Sequence, residues 1–299
     1  MEFDIGLVGY GEVGKIFTSG LKAKTGRWVG AWDLKFADTA TCDTECGHAA
    51  ANGIAACTSA AALCGKANLI ISAVTASNTL AVAQEVARSV RPGTLFLDLN
   101  SASPGTKAQC AALIDAAGGH YVEAGVMTSV PPYGIQVPML LGGVKATELA
   151  AVLTGWGMNA SAVAEKIGVA SAIKMCRSVM IKGLEALVIE SYTTARAYGV
   201  EEHMIPTLYE TFPGIDWNRQ GAYFFSRVAQ HGKRRAEEMR ESANTVREAG
   251  FDPFMAAAIA EKHDWVAQQS RAGVFAGLAK DSTWQNYADR LLQESLQNK

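Results

Sequence analysis

Short apolar runs alternate with amphipathic stretches along the first half of the chain. The apolar runs predict buried strands over residues 3–8, 28–33, 69–74, 94–99, 121–124 and 139–141. Helical patterns lie between these runs, over residues 13–24, 78–90, 103–117 and 147–156. Strands that alternate with helices are typical of βαβ units, so we predict an α/β domain with a largely parallel, doubly wound sheet.

The pattern changes near residue 165, where strand-like runs give way to long helical runs. These runs predict helices over about 200–211, 218–230, 233–249, 252–270 and 283–297. Charges alternate in sign over residues 233–240, which is typical of a solvated helix face. A chain of 299 residues is also longer than one core usually needs. We therefore predict an α/β domain over residues 1–165 followed by an all-α domain over residues 166–299.

The charge balance narrows the classes of partner. The chain has 27 basic and 29 acidic residues, and this net charge of −2 argues against nucleic acid or an anionic membrane as the main partner. No apolar run reaches the roughly 18–20 residues that would span a bilayer. Glu2 and Asp4 stand where a secretion signal would carry Lys or Arg, so we expect a cytoplasmic protein.

One cysteine cluster could belong to a metal site. Cys42, Cys46 and His48 are close in sequence, but a structural zinc site normally has four ligands. No Cys-x-x-Cys or His-x-x-x-His spacing follows to complete such a site. We therefore expect reduced thiols near a surface helix and no bound metal.

A glycine cluster follows the first predicted strand and opens the first predicted helix. Gly9, Gly11 and Gly14 have the Gly-x-Gly-x-x-Gly spacing of a Rossmann-type dinucleotide-binding loop, with a glycine-rich turn as the alternative. The three glycines respectively permit a tight turn, the approach of a pyrophosphate, and close packing of the helix. Asp33 ends the next predicted strand, where its carboxylate would bind ribose hydroxyls and repel a 2′-phosphate. The sequence therefore favours NAD, and Lys35 nearby leaves NADP as a second option.

Further cofactor contacts are expected where the predicted strand 69–74 ends. In an open parallel sheet, ligands bind beyond the carboxyl ends of the strands, which places Val74 and Thr75 under the nicotinamide. A strand that runs into a helix cap is the alternative reading of this stretch. The predicted cofactor-binding residues are Gly9, Tyr10, Gly11, Glu12, Val13, Gly14, Asp33, Val74, Thr75 and Asn100.

Residues 168–190 form a stretch that is apolar almost all round, as in a buried central helix. Ser178, Lys182 and Glu185 fall within about 80° of Lys174 around the helix axis. Arg177 lies about 60° to the other side. A lysine on such a helix loses hydration, which favours the neutral form that can accept a proton. The alternative is that Lys174 reaches solvent or pairs with Glu185.

The motifs together resemble the β-hydroxyacid dehydrogenases, the group that includes 3-hydroxyisobutyrate dehydrogenase and 6-phosphogluconate dehydrogenase. The resemblance rests on the glycine loop with Gly6 before it, on residues 98–104 and 123–129, and on Gly168 followed by Lys174. It implies that residues 98–104 form the substrate loop and that Lys174 is the catalytic lysine. It also implies a Rossmann-type N-terminal domain that binds NAD or NADP.

The chain also departs from the family pattern at two places. The family often has Ser-Gly-Gly at Met127, Thr128 and Ser129, and it often has Asn close after the lysine, where this chain has Arg177 and Ser178. The C-terminal domain is also much shorter than in the longest 6-phosphogluconate enzymes. We therefore expect a branch with its own small C-terminal domain and an activity other than 6-phosphogluconate oxidation.

The resemblance implies reversible oxidation of a β-hydroxy acid, or a related alcohol, by NAD. Lys174 would accept the hydroxyl proton as hydride leaves the substrate carbon. Ser101 with Thr128 or Ser129 would hold the substrate by hydrogen bonds, and Arg177 would pair with a carboxylate. The predicted substrate-binding residues are Ser101, Met127, Thr128, Ser129, Arg177 and Ser178.

Two other functions are compatible with part of this pattern. Imine reductases share a similar fold, but as the family pattern goes they lack the lysine at the position of Lys174. A non-catalytic NAD-binding protein would keep the glycine loop and would need neither Lys174 nor Ser101. Since an all-round apolar helix needs more cover than one small domain supplies, we also expect a homodimer that forms through the C-terminal domain.

Overall fold

The computed structural model describes residues 3–279 and 281–297, and its first part is built on one mixed sheet. The described strands are β1 (Ile5–Val8), β2 (Val29–Trp32), β3 (Ala55–Ala56), β4 (Leu69–Ser72), β5 (Leu95–Asp98), β6 (His120–Val126), β7 (Met139–Gly142) and β8 (Ala160–Ala164). They lie in the order β3-β2-β1-β4-β5-β6-β7-β8. Neighbours pair in parallel except for β6 and β7, which are antiparallel. The first six positions have the strand order of doubly wound dinucleotide-binding domains.

Helices cover both faces of this sheet. They are α1 (Glu12–Thr25), α2 (Cys42–Ala51), α3 (Ala60–Cys64), α4 (Thr79–Ala87), α5 (Pro104–Ala116) and α6 (Ala146–Gly155). Leu7 and Val8 are neighbours in β1 but belong to different buried clusters, with Leu97 and Phe96 of β5 respectively. Successive residues of a strand face opposite sides, so both faces of the sheet are buried. Such strands have continuous apolar sequences, which explains why the sequence revealed them.

Contacts between residues divide the chain into two compact units, Met1–Met175 and Cys176–Lys299. The α/β class predicted for the N-terminal part is confirmed, as is the helical class of the C-terminal part. The domain boundary near residue 165 stays a prediction, because these contacts group residues 166–175 with the first unit.

The second unit contains helices and no strands among its described residues. Its helices are α7 (Val169–Tyr198), which begins within the first unit, and α8 (Glu201–Thr211), α9 (Trp217–Glu248), α10 (Phe254–Arg271) and α11 (Trp284–Gln297). The prediction of two helices over 218–230 and 233–249 is wrong, because α9 is one helix of 32 residues. A Cβ at Gly232 would come within 2.7 Å of the His263 carbonyl oxygen, so this glycine allows close packing of α9 on α10. The glycine does not end the helix.

The sequence pattern missed several short elements. β3 has two residues and β8 is a run of Ala, Ser and Val with an exposed centre, so neither has an apolar run to reveal it. α2 is the surface helix expected near the cysteines, although it has no apolar stripe and buries little more than Ala49. Its Cys42 and Cys46 are free thiols with their sulfur atoms 3.6 Å apart. Over the described part of the chain, no group of three or more His, Cys, Asp or Glu side chains could hold a metal ion.

No helix among the described residues combines the length and the apolar character that crossing a membrane requires. Met1 and Glu2, on which the expectation about secretion partly rests, lie outside the described residues.

Candidate active site

The ends of the central strands form one edge of the sheet. Strand register pairs Trp32 with Val8, Val8 with Ser72, Ser72 with Asp98, and Asp98 with Glu123. These five residues therefore form a row across β2, β1, β4, β5 and β6. The loops that follow β2, β1, β4 and β5 leave the sheet at the same edge, which is where doubly wound proteins bind their ligands.

The three glycines of the loop after β1 have different surroundings. Gly9 has φ +98°, and a Cβ there would lie 2.4 Å from the carbonyl oxygen of Ala73. A Cβ at Gly14 would lie 2.0 Å from the carbonyl oxygen of Gly9, so α1 packs directly against the turn. A Cβ at Gly11 would meet nothing within 4 Å. The loop thus leaves open space at the position where the motif brings a pyrophosphate to the backbone.

The first turn of α1 completes this loop. Glu12 is exposed, whereas Val13 is half-buried and packs on the core. The N–H groups at this end of the helix have no helical acceptors, which gives the helix end the positive potential that attracts phosphate.

Asp33 follows β2 and is tied to the glycine loop. Its Oδ2 accepts a hydrogen bond of 2.6 Å from the backbone N–H of Tyr10, and its Oδ1 accepts one of 2.9 Å from the N–H of Lys35. The Tyr10 ring is fully buried, packs against Phe36, and has its hydroxyl 3.0 Å from Nδ1 of His48. Burial raises the pKa of the Tyr10 hydroxyl. The backbone of Tyr10 can therefore face a ligand, whereas its buried ring cannot.

The side chain of Asn100 joins the ends of β4 and β5. Its Oδ1 accepts a hydrogen bond of 2.7 Å from the N–H of Val74, and its Nδ2 donates one of 2.9 Å to Oγ of Ser72. Its own N–H donates to Oδ1 of Asp98 at 2.8 Å. Asn100 thus fixes Val74, while Thr75 is exposed just beyond it. The amide of Asn100 acts on the strand ends, so its predicted contact with a cofactor remains a prediction.

A buried polar network anchors the loop after β5. Asp98 lies 3.1 Å from Nζ of the fully buried Lys107 and accepts a hydrogen bond of 2.5 Å from the hydroxyl of Tyr121. Burial, followed by the nearby Asp98 carboxylate, raises the pKa of Tyr121 well above its usual value. At the far end of the loop, Oγ of Ser103 accepts from the N–H of Thr106 and caps α5. Both ends of the segment that contains Ser101 are therefore held.

Lys174 and Ser101 lie together at this edge. Nζ of Lys174 donates a hydrogen bond of 2.5 Å to Oγ of Ser101, across 73 residues of sequence. Both side chains belong to half-buried residues. A Cβ at Gly125 would lie 2.8 Å from the carbonyl oxygen of Ala170 and 3.5 Å from Cβ of Lys174. Gly125 therefore lets α7 approach β6 closely enough to place the lysine beside the serine loop.

Glu123 caps the helix that carries Lys174. Its carboxylate is fully buried and accepts hydrogen bonds from the N–H groups of Gly168 at 2.7 Å, Ala170 at 3.0 Å and Ser171 at 3.3 Å. A carboxylate at a helix N-terminus satisfies unpaired donors and interacts favourably with the helix dipole. Sequence reasoning gave Glu123 and Gly125 no role. An acid within an apolar strand was the available signal, because a buried charge needs partners.

The other predicted substrate residues are more dispersed. Met127 donates its N–H to the carbonyl oxygen of Pro138 at 2.9 Å, and it precedes the exposed Thr128 and the half-buried Ser129. Arg177 is exposed and belongs to the second unit. Ser178 is buried in that unit, where its Oγ lies 3.2 Å from Nζ of Lys182.

The second unit contains a buried cluster of charged groups. Lys182 lies 2.9 Å from Glu238, and Nε of Arg235 donates to Glu185 at 2.8 Å. Arg235 is 7% exposed, so the predicted solvated face over residues 233–240 is wrong at this position. Arg235 is buried because its guanidinium group pairs with Glu185. His263 is fully buried beside the cluster, and burial, then the charges of Arg235 and Lys182, lower its pKa to about 3.

Comparisons with known proteins agree with this architecture. Residues 4–149 match the NAD binding domain of 6-phosphogluconate dehydrogenase, and residues 195–266 match a domain of unknown function (DUF1932). The crystal structure of a conserved hypothetical protein from Sinorhizobium meliloti 1021 has 36% sequence identity and a TM-score of 0.78, and the match covers 98% of this chain and 97% of that chain.

Two further solved structures connect the fold to dehydrogenases. A conserved protein of unknown function, described as structurally similar to 3-hydroxyacid dehydrogenases, has 29% identity and a TM-score of 0.68 over 90% of this chain and 98% of its own. The 3-hydroxyisobutyrate dehydrogenase of Mycobacterium tuberculosis, solved with L-serine, has 17% identity and a TM-score of 0.72, over 97% of this chain and 99% of its own. At that identity the likeness shows the fold alone.

Proposed function

Because the chain belongs to the β-hydroxyacid dehydrogenase family, with an NAD-binding domain over residues 4–149, we propose that it oxidises a β-hydroxy acid or a related alcohol reversibly with NAD. The observation that carries this proposal is the hydrogen bond of 2.5 Å between Nζ of Lys174 and Oγ of Ser101. An amine and a hydroxyl at the ligand-binding edge of the sheet are suited to hold and move a substrate proton.

The surroundings of the glycine loop fit a dinucleotide. The space beside Gly11 is open, the N-terminus of α1 follows, and the Asp33 carboxylate ends the neighbouring strand. This arrangement supports pyrophosphate binding at the loop and ribose binding at Asp33. When bound, the nicotinamide supplies the hydride acceptor in one direction and the hydride donor in the other. The carboxylate favours NAD, with NADP as the weaker cofactor.

Lys174 has the role of general base and acid in the proposal. As a neutral amine it accepts the hydroxyl proton during oxidation, and as an ammonium it returns that proton during reduction. Ser101 hydrogen-bonds the substrate oxygen and keeps the lysine aimed at it. Thr128 or Ser129 is proposed to hold the substrate by hydrogen bonds, and Arg177 is proposed to pair with a substrate carboxylate. Ser178 is a weaker candidate, because its hydroxyl already lies 3.2 Å from Nζ of Lys182.

A substrate panel tests the proposal. The purified chain is mixed with NAD or NADP and with β-hydroxy acids of increasing size, and the formation of reduced cofactor is followed by absorbance. The same chain is given reduced cofactor with cyclic imines. We expect oxidation of at least one hydroxy acid. Turnover of imines alone would instead favour imine reduction, and cofactor binding without any turnover would favour a non-catalytic NAD-binding protein.

A homodimer that forms through the second unit is also proposed. Met180 and Leu187 lie seven residues apart on α7 and are 67% and 55% exposed, respectively. Residues at this spacing share one face of a helix, and large exposed apolar side chains on one face favour association. Light scattering on the wild-type chain and on Met180→Glu should give a dimer and a monomer, respectively. A wild-type monomer at micromolar concentration would contradict the dimer without affecting the proposed chemistry.

A further inference from the structure

A second carboxylate lies beside the nucleotide-binding loop. Glu45, on α2, has Oε2 at 2.7 Å from Nζ of Lys15 and Oε1 at 3.9 Å from Nζ of Lys35. The Glu45 side chain is 13% exposed, against 29% for Lys15 and 44% for Lys35. The hydrogen bond from Lys15 is the main cause that lowers the pKa of Glu45. One ionised acid thus pairs with two lysines that come from different elements.

Both lysines border the part of the loop that Asp33 holds. Lys35 donates its backbone N–H to Oδ1 of Asp33, and Asp33 in turn accepts from the N–H of Tyr10. Lys15 lies in the first turns of α1, with Nζ 5.7 Å from the centre of the Tyr10 ring. Lys35 is thus bonded through its backbone to the carboxylate expected to bind the adenosine ribose, and Lys15 lies near the ring of a residue that is bonded to the same carboxylate.

We propose that Glu45 is a specificity-determining residue for the cofactor, because it pairs with Lys15 and Lys35 and, together with Asp33, cancels the positive charge that a 2′-phosphate would need. This inference rests on the proposed NAD site at Asp33. A phosphate monoester carries about −1.5 to −2 charges at neutral pH. In the wild-type chain the two lysines and two carboxylates cancel, and the phosphate finds no excess positive charge. Without Glu45, one positive charge is left over.

Binding measurements test the effect of Glu45 on cofactor preference and do not require turnover. NADH and NADPH are titrated separately onto the wild-type chain and onto Glu45→Gln, with nicotinamide fluorescence as the signal. We expect the ratio of the Kd for NADPH to the Kd for NADH to fall about two- to tenfold in Glu45→Gln. The effect should be no larger, because ion pairs between partly exposed side chains are of modest strength. Asp43→Asn, which removes the same charge from an exposed position of α2, should leave the ratio within about twofold of wild type.

Two more variants test the assigned cause. Glu45→Asp keeps the charge and should keep the wild-type ratio. Replacing both lysines as well, in Lys15→Gln/Lys35→Gln/Glu45→Gln, should abolish the gain in NADPH binding. Thermal unfolding of each variant shows that it is folded, and Glu45→Ala replaces the glutamine variant if the latter does not fold.

The outcomes separate this inference from the proposed function. If Glu45→Gln weakens both cofactors equally, or leaves their ratio unchanged while it lowers the melting temperature, Glu45 only supports α2 and the inference is wrong. A gain that survives the loss of both lysines would also overturn it. A wild-type chain that binds neither dinucleotide would overturn the proposed function itself, together with everything built on it.

Discussion

Oε1 of Glu123 accepts a hydrogen bond from the backbone N–H of Gly168 at 2.7 Å, across 45 residues of sequence. A side chain in the middle of the sheet therefore fixes the start of the helix that carries Lys174. Two more N–H groups, of Ala170 and Ser171, point at the same carboxylate. The position of the proposed catalytic amine thus depends on a buried acid at the start of its helix.

Glu123→Ala should destabilise the protein by about 2–4 kcal/mol, because it leaves buried donors at the helix end without an acceptor. Chemical denaturation measures this loss. Glu123→Gln retains one acceptor oxygen and should lose less stability. Glu165→Gln removes an exposed acid close to the same helix start and serves as the control. Equal stability of Glu123→Ala and the control would contradict the capping role.

Lys174→Ala should lower turnover by about 10²- to 10⁴-fold, the usual contribution of a positioned acid–base group. Its NADH affinity should stay close to wild type, because the glycine loop and Asp33 are far from it in sequence and keep their own contacts. Steady-state kinetics and NADH titration give the two numbers. Lys166→Ala, at an exposed lysine, is the matched control. Turnover within a few-fold of wild type in Lys174→Ala would rule out the proposed mechanism.

Arg177→Ala should raise KM for hydroxy acids much more than for a neutral alcohol of the same carbon skeleton, because only the acid offers a carboxylate to the guanidinium. The comparison needs full kinetics on both members of the substrate pair. Arg177→Lys keeps the charge but cannot form a bidentate pair with a carboxylate, so it should raise KM for the acid by an intermediate amount. If the acid and the alcohol are affected equally, Arg177 does not bind the substrate carboxylate.

The buried His263 should make the protein less stable in acid. Below about pH 6.5 the imidazole of the unfolded chain binds a proton, whereas the folded pKa is lowered to about 3, so the unfolded state holds more protons in between. The contribution of His263 should lower the stability by up to about 1.4 kcal/mol for each pH unit between about 6.5 and about 3. Denaturation at several pH values should show a shallower slope in His263→Leu than in the wild type. The exposed His120→Gln should keep the wild-type slope.

Periodicity and motif spacing were sufficient for the parts of the fold that bury strands on both faces. β1, β4 and β5 appear in the sequence as uninterrupted apolar runs. The spacing of the glycines after β1 predicts the tight turn and the close helix packing of that loop. β8 has no such run, because small residues with an exposed centre form it. Local patterns describe what each element buries, and they fail where an element buries little.

Long-range polar contacts were beyond the reach of the sequence. The stripe that contains Lys182 and Glu185 was visible, but their partners Glu238 and Arg235 come from α9, which looked like a solvated face. The predicted break between residues 230 and 233 was likewise wrong, because the sequence does not show that α10 packs against Gly232. Partners of this kind depend on which helices meet, and that is a property of the tertiary structure.

The amide of Asn100 has a consequence for the energetics of binding. Its oxygen accepts from Val74, its nitrogen donates to Ser72, and Asp98 holds its backbone. These hydrogen bonds within the protein hold the ends of β4 and β5 in one arrangement and need no contribution from a dinucleotide. A ligand that binds there has little loop or side-chain motion left to restrict, so the entropy of ordering this part of the protein is lost during folding and not during each catalytic cycle.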